Sequence, residues 1–134
     1  MEDIVLAGFG GHAKSVIDSI ERGGKYRIAG FTETHKCPEY HGYSCLGTDD
    51  ELDEIYKNTA KKAFVCIGYM GTGDVRESLY ARLKTIGFAL PTICDPSAAV
   101  SEASGIGEGT YVGKNAVVNA GASVGKMCII NTSS

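Results

Sequence analysis

Aliphatic residues recur at every sixth position through the last third of the chain: Val100, Ile106, Val112, Val118, Val124 and Ile130. Four places after each stands a small residue: Ser104, Thr110, Ala116, Ala122, Cys128 and Ser134. An aliphatic period of six with a small residue at the fifth place marks a parallel β-helix. In a left-handed β-helix three hexads make one triangular coil, with the aliphatic residue pointing inward and the small residue easing the corner. Val100–Val117 then forms one coil and Val118–Ser134 most of a second. Gly105, Gly107, Gly113, Gly121 and Gly125 are expected to relieve strain near the corners. Short antiparallel strands would not keep so strict a period. Two coils without a cap leave core and strand edges open, so the pattern reads as the start of a longer protein, truncated, in preference to an end covered in an oligomer.

The pattern ahead of Asp95-Pro96 is different. Ile4–Ala7 is a short apolar run ending at Gly8, which predicts a buried parallel strand. Ala13, Val16, Ile17 and Ile20 share one helical face, and Gly23-Gly24 end that helix. Tyr26–Phe31 predicts a second strand. Thr48-Asp49-Asp50-Glu51 has the form of a capping box and predicts a short helix from about Asp49 to Tyr56. Ala63–Ile67 is a third strand. A turn over Gly68–Gly73 leads to a helix from about Asp74 to Ile86, with Val75, Leu79, Leu83 and Ile86 as its apolar face and Gly87 as its stop. Phe88–Ile93 is a fourth strand. Alternating strands and helices argue an α/β domain with a Rossmann-like parallel sheet over residues 1–95, followed by incomplete hexads over 96–134.

The formal net charge of -3 gives no basic footprint for nucleic acid. No apolar run has the length of a membrane span and the first residues do not read as a signal peptide, so no membrane insertion and a cytoplasmic location are expected. The five cysteines are Cys37, Cys45, Cys66, Cys94 and Cys128. Their spacing indicates neither a disulfide framework nor a metal site. Cys66 and Cys128 read as small buried hydrophobes, and Cys37 and Cys45 as loop residues.

Candidate chemistry centres on Gly8-Phe9-Gly10-Gly11-His12-Ala13-Lys14. Gly8, Gly10 and Ala13 satisfy the dinucleotide-binding fingerprint between a strand and a helix. Glycines let the backbone approach a pyrophosphate, and the helix N-terminus supplies free N–H groups and partial positive charge. Lys14 would add a charge contact. The bland alternative is a tight turn at Gly10-Gly11, with His12 capping or packing. Glu33, at the end of the second strand, would grip a ribose hydroxyl in a dinucleotide or contact another nucleotide; as a bland alternative it is a solvated carboxylate. Gly68 and Tyr69 are expected to line the same crevice. Arg76, early in the following helix, is a weaker candidate for the crevice and reads more readily as a solvated helix-face residue; Lys57, Lys61 and Lys62 read as a solvated face. His35 and His41 read as surface residues.

A glycine-turn α/β domain joined to hexads resembles the sialic acid O-acetyltransferase family of bacterial sugar acyltransferases, which includes N-acetyltransferases of UDP-bacillosamine synthesis. The matching stretches are Gly8–Lys14, Ala63–Gly68, Asp95-Pro96-Ser97-Ala98 and Ile130–Ser134. The resemblance implies a homotrimer whose N-terminal domain binds a nucleotide sugar, with UDP as the expected nucleotide, through Gly8, Gly10, Gly11, His12, Ala13, Lys14, Thr32, Glu33, Gly68 and Tyr69. Many relatives carry paired aspartates where this chain has Thr32-Glu33. It also implies acetyl-CoA as co-substrate, bound along later coils, and N- or O-acetylation of an amino or sialic-type sugar in surface glycan synthesis. The family's general base is a histidine a few residues beyond the Asn-Thr-Ser-Ser stretch, hence beyond Ser134. No catalytic residue is therefore expected within these residues, and the 134-residue chain is expected to bind no coenzyme and transfer no acetyl group. The competing functions are an NAD-type dinucleotide-binding module and a non-catalytic trimerisation scaffold.

Overall fold

The computed structural model describes residues 2–8, 13–33, 43–66 and 74–130. The first part alternates strand and helix: β1 (Glu2–Ala7), α1 (Ala13–Gly23), β2 (Tyr26–Glu33), β3 (Cys45–Thr48), α2 (Leu52–Asn58), β4 (Lys62–Val65) and α3 (Asp74–Ile86). The four strands form one parallel sheet in the order β3-β2-β1-β4. Side chains on a strand alternate between faces, and β1 divides its apolar run accordingly. Ile4 and Leu6 pack with Ala13, Val16, Ile17 and Ile20 of α1. Val5 and Ala7 pack on the other face with Leu52 and Ile55 of α2 and Leu79 and Leu83 of α3. Burying each large aliphatic or aromatic side chain in these layers stabilises the fold by roughly 1.5–3 kcal/mol. The predicted faces of α1 and α3 are thus the buried ones; the Val75 side chain lies outside the described residues.

Three local expectations change. Cys45 is in an edge strand, β3, that a four-residue stretch with an internal glycine did not announce. The capping box does not form: Asp49–Glu51 makes a 3-10 turn, and Glu51 precedes α2 without a side-chain capping hydrogen bond. The fourth strand is reduced to one parallel bridge between Ala89 and Lys62. Ile93-Cys94 pairs elsewhere.

That pairing opens the second part. Strands β5 (Ile93–Cys94), β6 (Ala99–Val100), β7 (Gly105–Ile106), β8 (Tyr111–Val112), β9 (Val117–Val118), β10 (Ser123–Val124) and β11 (Ile129–Ile130) are each two residues long. Ile93 pairs with Tyr111 and Tyr111 with Ile129; Ala99 pairs with Val117, and Gly105 with Ser123, all in parallel. Every partner lies eighteen residues on, so three hexads return the chain to the same face. Val112, Ala116 and Val118 are the buried centre, ringed by Cys94, Ala98, Val100, Ile106, Ala122, Val124 and Ile130. The inward register therefore starts one hexad early, at Cys94 and Ala98. Cys128 is half-buried rather than buried.

The corners follow their own period of six. Gly109 (φ 71°), Asn115 (58°), Gly121 (82°) and Met127 (57°) all adopt the left-handed conformation. Of the glycines expected to serve corners, only Gly121 does so; Gly109 does as well. Asn tolerates this region, whereas Met is held there at a cost of about 1 kcal/mol or more.

Candidate functional site at the switch point of the sheet

The chain runs outward from β1 to β2 and β3, then returns to the far side of β1 for β4. Such a reversal opens a crevice outside the carboxyl ends of the strands, where open α/β sheets bind ligands. Ala7 pairs with Thr32 on one side and Val65 on the other, so three strand ends meet here. A register slip between Ile4 and Val5, opposite Ala29, sets Thr32 rather than Phe31 against Ala7. Gly8 then turns out of the sheet with φ 76°, a conformation that favours glycine. Its N–H donates to the Thr32 carbonyl at 3.1 Å, with Thr32 Oγ1 at 3.4 Å as a second acceptor.

The predicted site residues are only partly described. Gly8 and Thr32 sit together at the edge, Thr32 fully buried and Glu33 half-buried beside it. Ala13 is buried at the start of α1, and Lys14 is exposed on its first turn. That turn carries no acidic side chain to offset the positive end of the helix dipole. Gly10, Gly11, His12, Gly68 and Tyr69 lie outside the described residues, as do His35 and His41. Cys66 closes the edge at the end of β4, its N–H donating to the Ala7 carbonyl at 2.9 Å. Burial pushes the Cys66 thiol far above its ordinary pKa, against an opposing pull from Arg76, so it is no nucleophile.

Arg76 corrects the expectation of a solvated residue. It is 3 % exposed, and its Nη2 donates to the Met127 carbonyl at 2.8 Å. Other α3 side chains join the same corner: Tyr80 OH donates to Glu108 Oε1 at 2.8 Å and Lys84 Nζ to Glu108 Oε2 at 3.1 Å. Helix α1 is pinned as firmly to the first coil. The Ser19 hydroxyl donates to Asp95 Oδ2 at 2.7 Å and lies 2.7 Å from the Tyr111 hydroxyl. Lys114 joins both Asp18 and Asp95. Asp95 Oδ1 accepts from the Ser97 N–H (3.0 Å) and hydroxyl (2.7 Å), and that hydroxyl oxygen accepts the Asn115 N–H at 3.0 Å. The Asp95-Pro96-Ser97 stretch is thus the hub where the coils meet α1. Sequence reasoning registered this stretch without its role; an aspartate two residues before a serine, flanking a proline, is an Asx-turn signal that would have found it. Both helices that open at the crevice edge are therefore braced on coils.

An open depression of about 310 Å³ lies at the opposite end of the sheet, between Glu2 and residues 56–62. Two of its three lysines are engaged: Lys62 pairs with Glu2 at 2.9 Å and Lys61 Nζ lies 4.1 Å from the Tyr56 ring centroid. It has the character of a solvated rim, far from the glycine turn. Among the described residues no group of three or more His, Cys, Asp or Glu could hold a metal ion. No helix among them is long and apolar enough to cross a membrane.

Residues 3–83 match the PglD N-terminal domain. Among solved structures, a histidine-to-asparagine mutant of perosamine N-acetyltransferase from Caulobacter crescentus, in complex with CoA and GDP-perosamine, is 31% identical with a TM-score of 0.90. PerB from the same organism, with the same two ligands, is 32% identical with a TM-score of 0.88. Each match covers 99% of this chain and 61% of the other, so the chain spans under two thirds of their length. The acetyltransferase domain of PglB from Neisseria gonorrhoeae, in complex with acetyl coenzyme A, matches in fold at 24% identity and a TM-score of 0.83, over 98% of this chain and 65% of that one. No protein of curated function matches. The glycine turn at the end of β1, the four-stranded parallel sheet around it and the match over residues 3–83 together show that this chain belongs to the PglD N-terminal domain family.

Proposed function

We propose that this chain holds a nucleoside-diphosphate sugar for an acetyl-CoA-dependent sugar acetyltransferase. The diphosphate lies against the N-terminus of α1, approached by Gly8, Gly10, Gly11, His12 and Ala13 and met by Lys14. The nucleoside lies toward Thr32 and Glu33, with Gly68 and Tyr69 on the facing side. The observation that carries this reading is the glycine turn at the reversal of strand order, in a chain 31% identical to a sugar N-acetyltransferase complexed with GDP-perosamine. That likeness favours an amine over a hydroxyl as acceptor, and admits GDP beside UDP.

In this reading the coils of 96–134 begin a left-handed β-helix of a homotrimer, and the domain of 1–95 is Rossmann-like. The amine would add to the thioester carbonyl of acetyl-CoA and pass its proton to a histidine outside these residues, the C–S bond then breaking to release coenzyme A as the thiol. The 134 residues alone bind the sugar nucleotide and transfer no acetyl group. Calorimetric titration with a GDP-sugar, a UDP-sugar and NAD tests this. Tighter binding of either sugar nucleotide than of NAD is expected. Preference for NAD would favour the dinucleotide module, and no binding at all would favour a scaffold.

A further inference from the structure

We propose that Arg76 is a positioning residue that couples the nucleotide-holding edge of the sheet to the corner of the second coil at Met127. The proposal rests on the nucleotide site described above. Arg76 stands in the first turn of α3, where a cation is opposed by the helix dipole, and it is 3 % exposed, where a charge is poorly solvated. Neither condition suits an arginine whose role is only to solvate a helix face. On one side its helix packs Leu79, one turn on from Arg76, against Ala7 and Val65 at the strand ends beside Gly8. On the other side its guanidinium donates to the Met127 carbonyl.

Met127 is itself fixed in an unusual way. It takes the left-handed corner position that Gly109 and Gly121 take on other corners. Its N–H donates to the Glu108 carbonyl at 2.9 Å, and its thioether occupies the space where a side chain at Gly109 would stand. Coil-to-coil stacking thus meets α3 at the Met127 carbonyl, which Arg76 holds, beside the Glu108 carboxylate held by Tyr80 and Lys84. A shift of the β1 and β4 ends on ligand binding reaches Arg76 through Leu79 and α3, and the coil corner through Arg76. Packing at Leu79 and the Arg76 hydrogen bond form a contiguous path between the two places.

Amide NMR of the isotope-labelled 134-residue chain, titrated with GDP and separately with UDP, tests this. In the wild type, saturation is expected to move the Met127 and Cys128 resonances together with those of Gly8 and Thr32. In Arg76→Met, Gly8 and Thr32 are expected still to respond, with affinity within about fivefold of wild type, while Met127 and Cys128 fall silent. Arg76→Lys should restore part of the distal response. Met127→Gly keeps the carbonyl and should keep the response at Cys128, which separates the bond from side-chain packing. Equal distal responses in wild type and Arg76→Met would overturn the coupling, as would a wild type in which only Gly8 and Thr32 move. Silence at Gly8 and Thr32 as well would overturn the nucleotide site and the coupling with it.

Discussion

The Ser19 hydroxyl donates to the buried Asp95 carboxylate at 2.7 Å, joining two residues 76 positions apart. Ser19 is on the helix whose N-terminus faces the crevice, and Asp95 stands at the head of the coils. Helix α1 and the repeat are therefore parts of one bonded network. Replacing Asp95 by Asn should remove a charged acceptor from Ser19, Ser97 and Lys114 and cost about 2 kcal/mol or more. Asp50→Asn, whose carboxylate is 91 % exposed, should stay within about 0.5 kcal/mol. Chemical denaturation midpoints of the two variants make the comparison.

The same carboxylate sets an acid limit on stability. Burial alone would raise the Asp95 pKa, but hydrogen bonds from Ser97, Ser19 and Lys114 outweigh it and hold the group well below the usual range. A folded pKa below the unfolded one gives stability that is full above about pH 4 and fades as pH falls through the folded value. Glu108 is shifted in the same direction, chiefly by the Tyr80 hydrogen bond, against burial and with Lys84 assisting. Denaturation midpoints measured downward from pH 6 should hold steady and then drop below about pH 4, with a shallower drop in Asp95→Asn.

The coil corners give a sharper steric contrast. A side chain at Gly109 would collide with Met127 Sδ and take φ 71°. Gly109→Ala should therefore destabilise the fold by about 2 kcal/mol or more. Gly105 has open space around it and no left-handed φ, so Gly105→Ala should stay within about 0.5 kcal/mol. Thermal unfolding of the two single variants distinguishes them.

What could be read from the sequence was what periodicity and local chemistry control. The face of α1 and the alternation of β1 follow from apolar spacing, and the hexads from a period that outlasts any single side chain. Features set by distant partners were hidden. Arg76 looks solvated until Met127, 51 residues on, supplies its acceptor. Phe88–Ile93 looks like a sheet strand, but Ile93 finds its partner in Tyr111, a contact that only the eighteen-residue coil creates. Thr48–Glu51 fits a capping pattern, yet Thr48 is held in β3, opposite Glu33. The glycine at the exit of β1 was legible, while the bracing of α1 and α3 on the coils was not.

Lys14 supplies the site's test of charge. Lys14→Ala should weaken sugar-nucleotide binding about tenfold at low salt, the loss expected for one charge-assisted contact to phosphate. The difference from wild type should shrink as salt rises, because the side chain is exposed. Titration at two ionic strengths reads both effects.

A crystal structure of this chain with a GDP- or UDP-sugar tests the central claim most directly. The diphosphate should lie within hydrogen-bond reach of backbone N–H groups at the start of α1, with the nucleoside toward Thr32 and Glu33. A ligand seated instead in the depression between Glu2 and residues 56–62, at the other end of the sheet, would contradict the account.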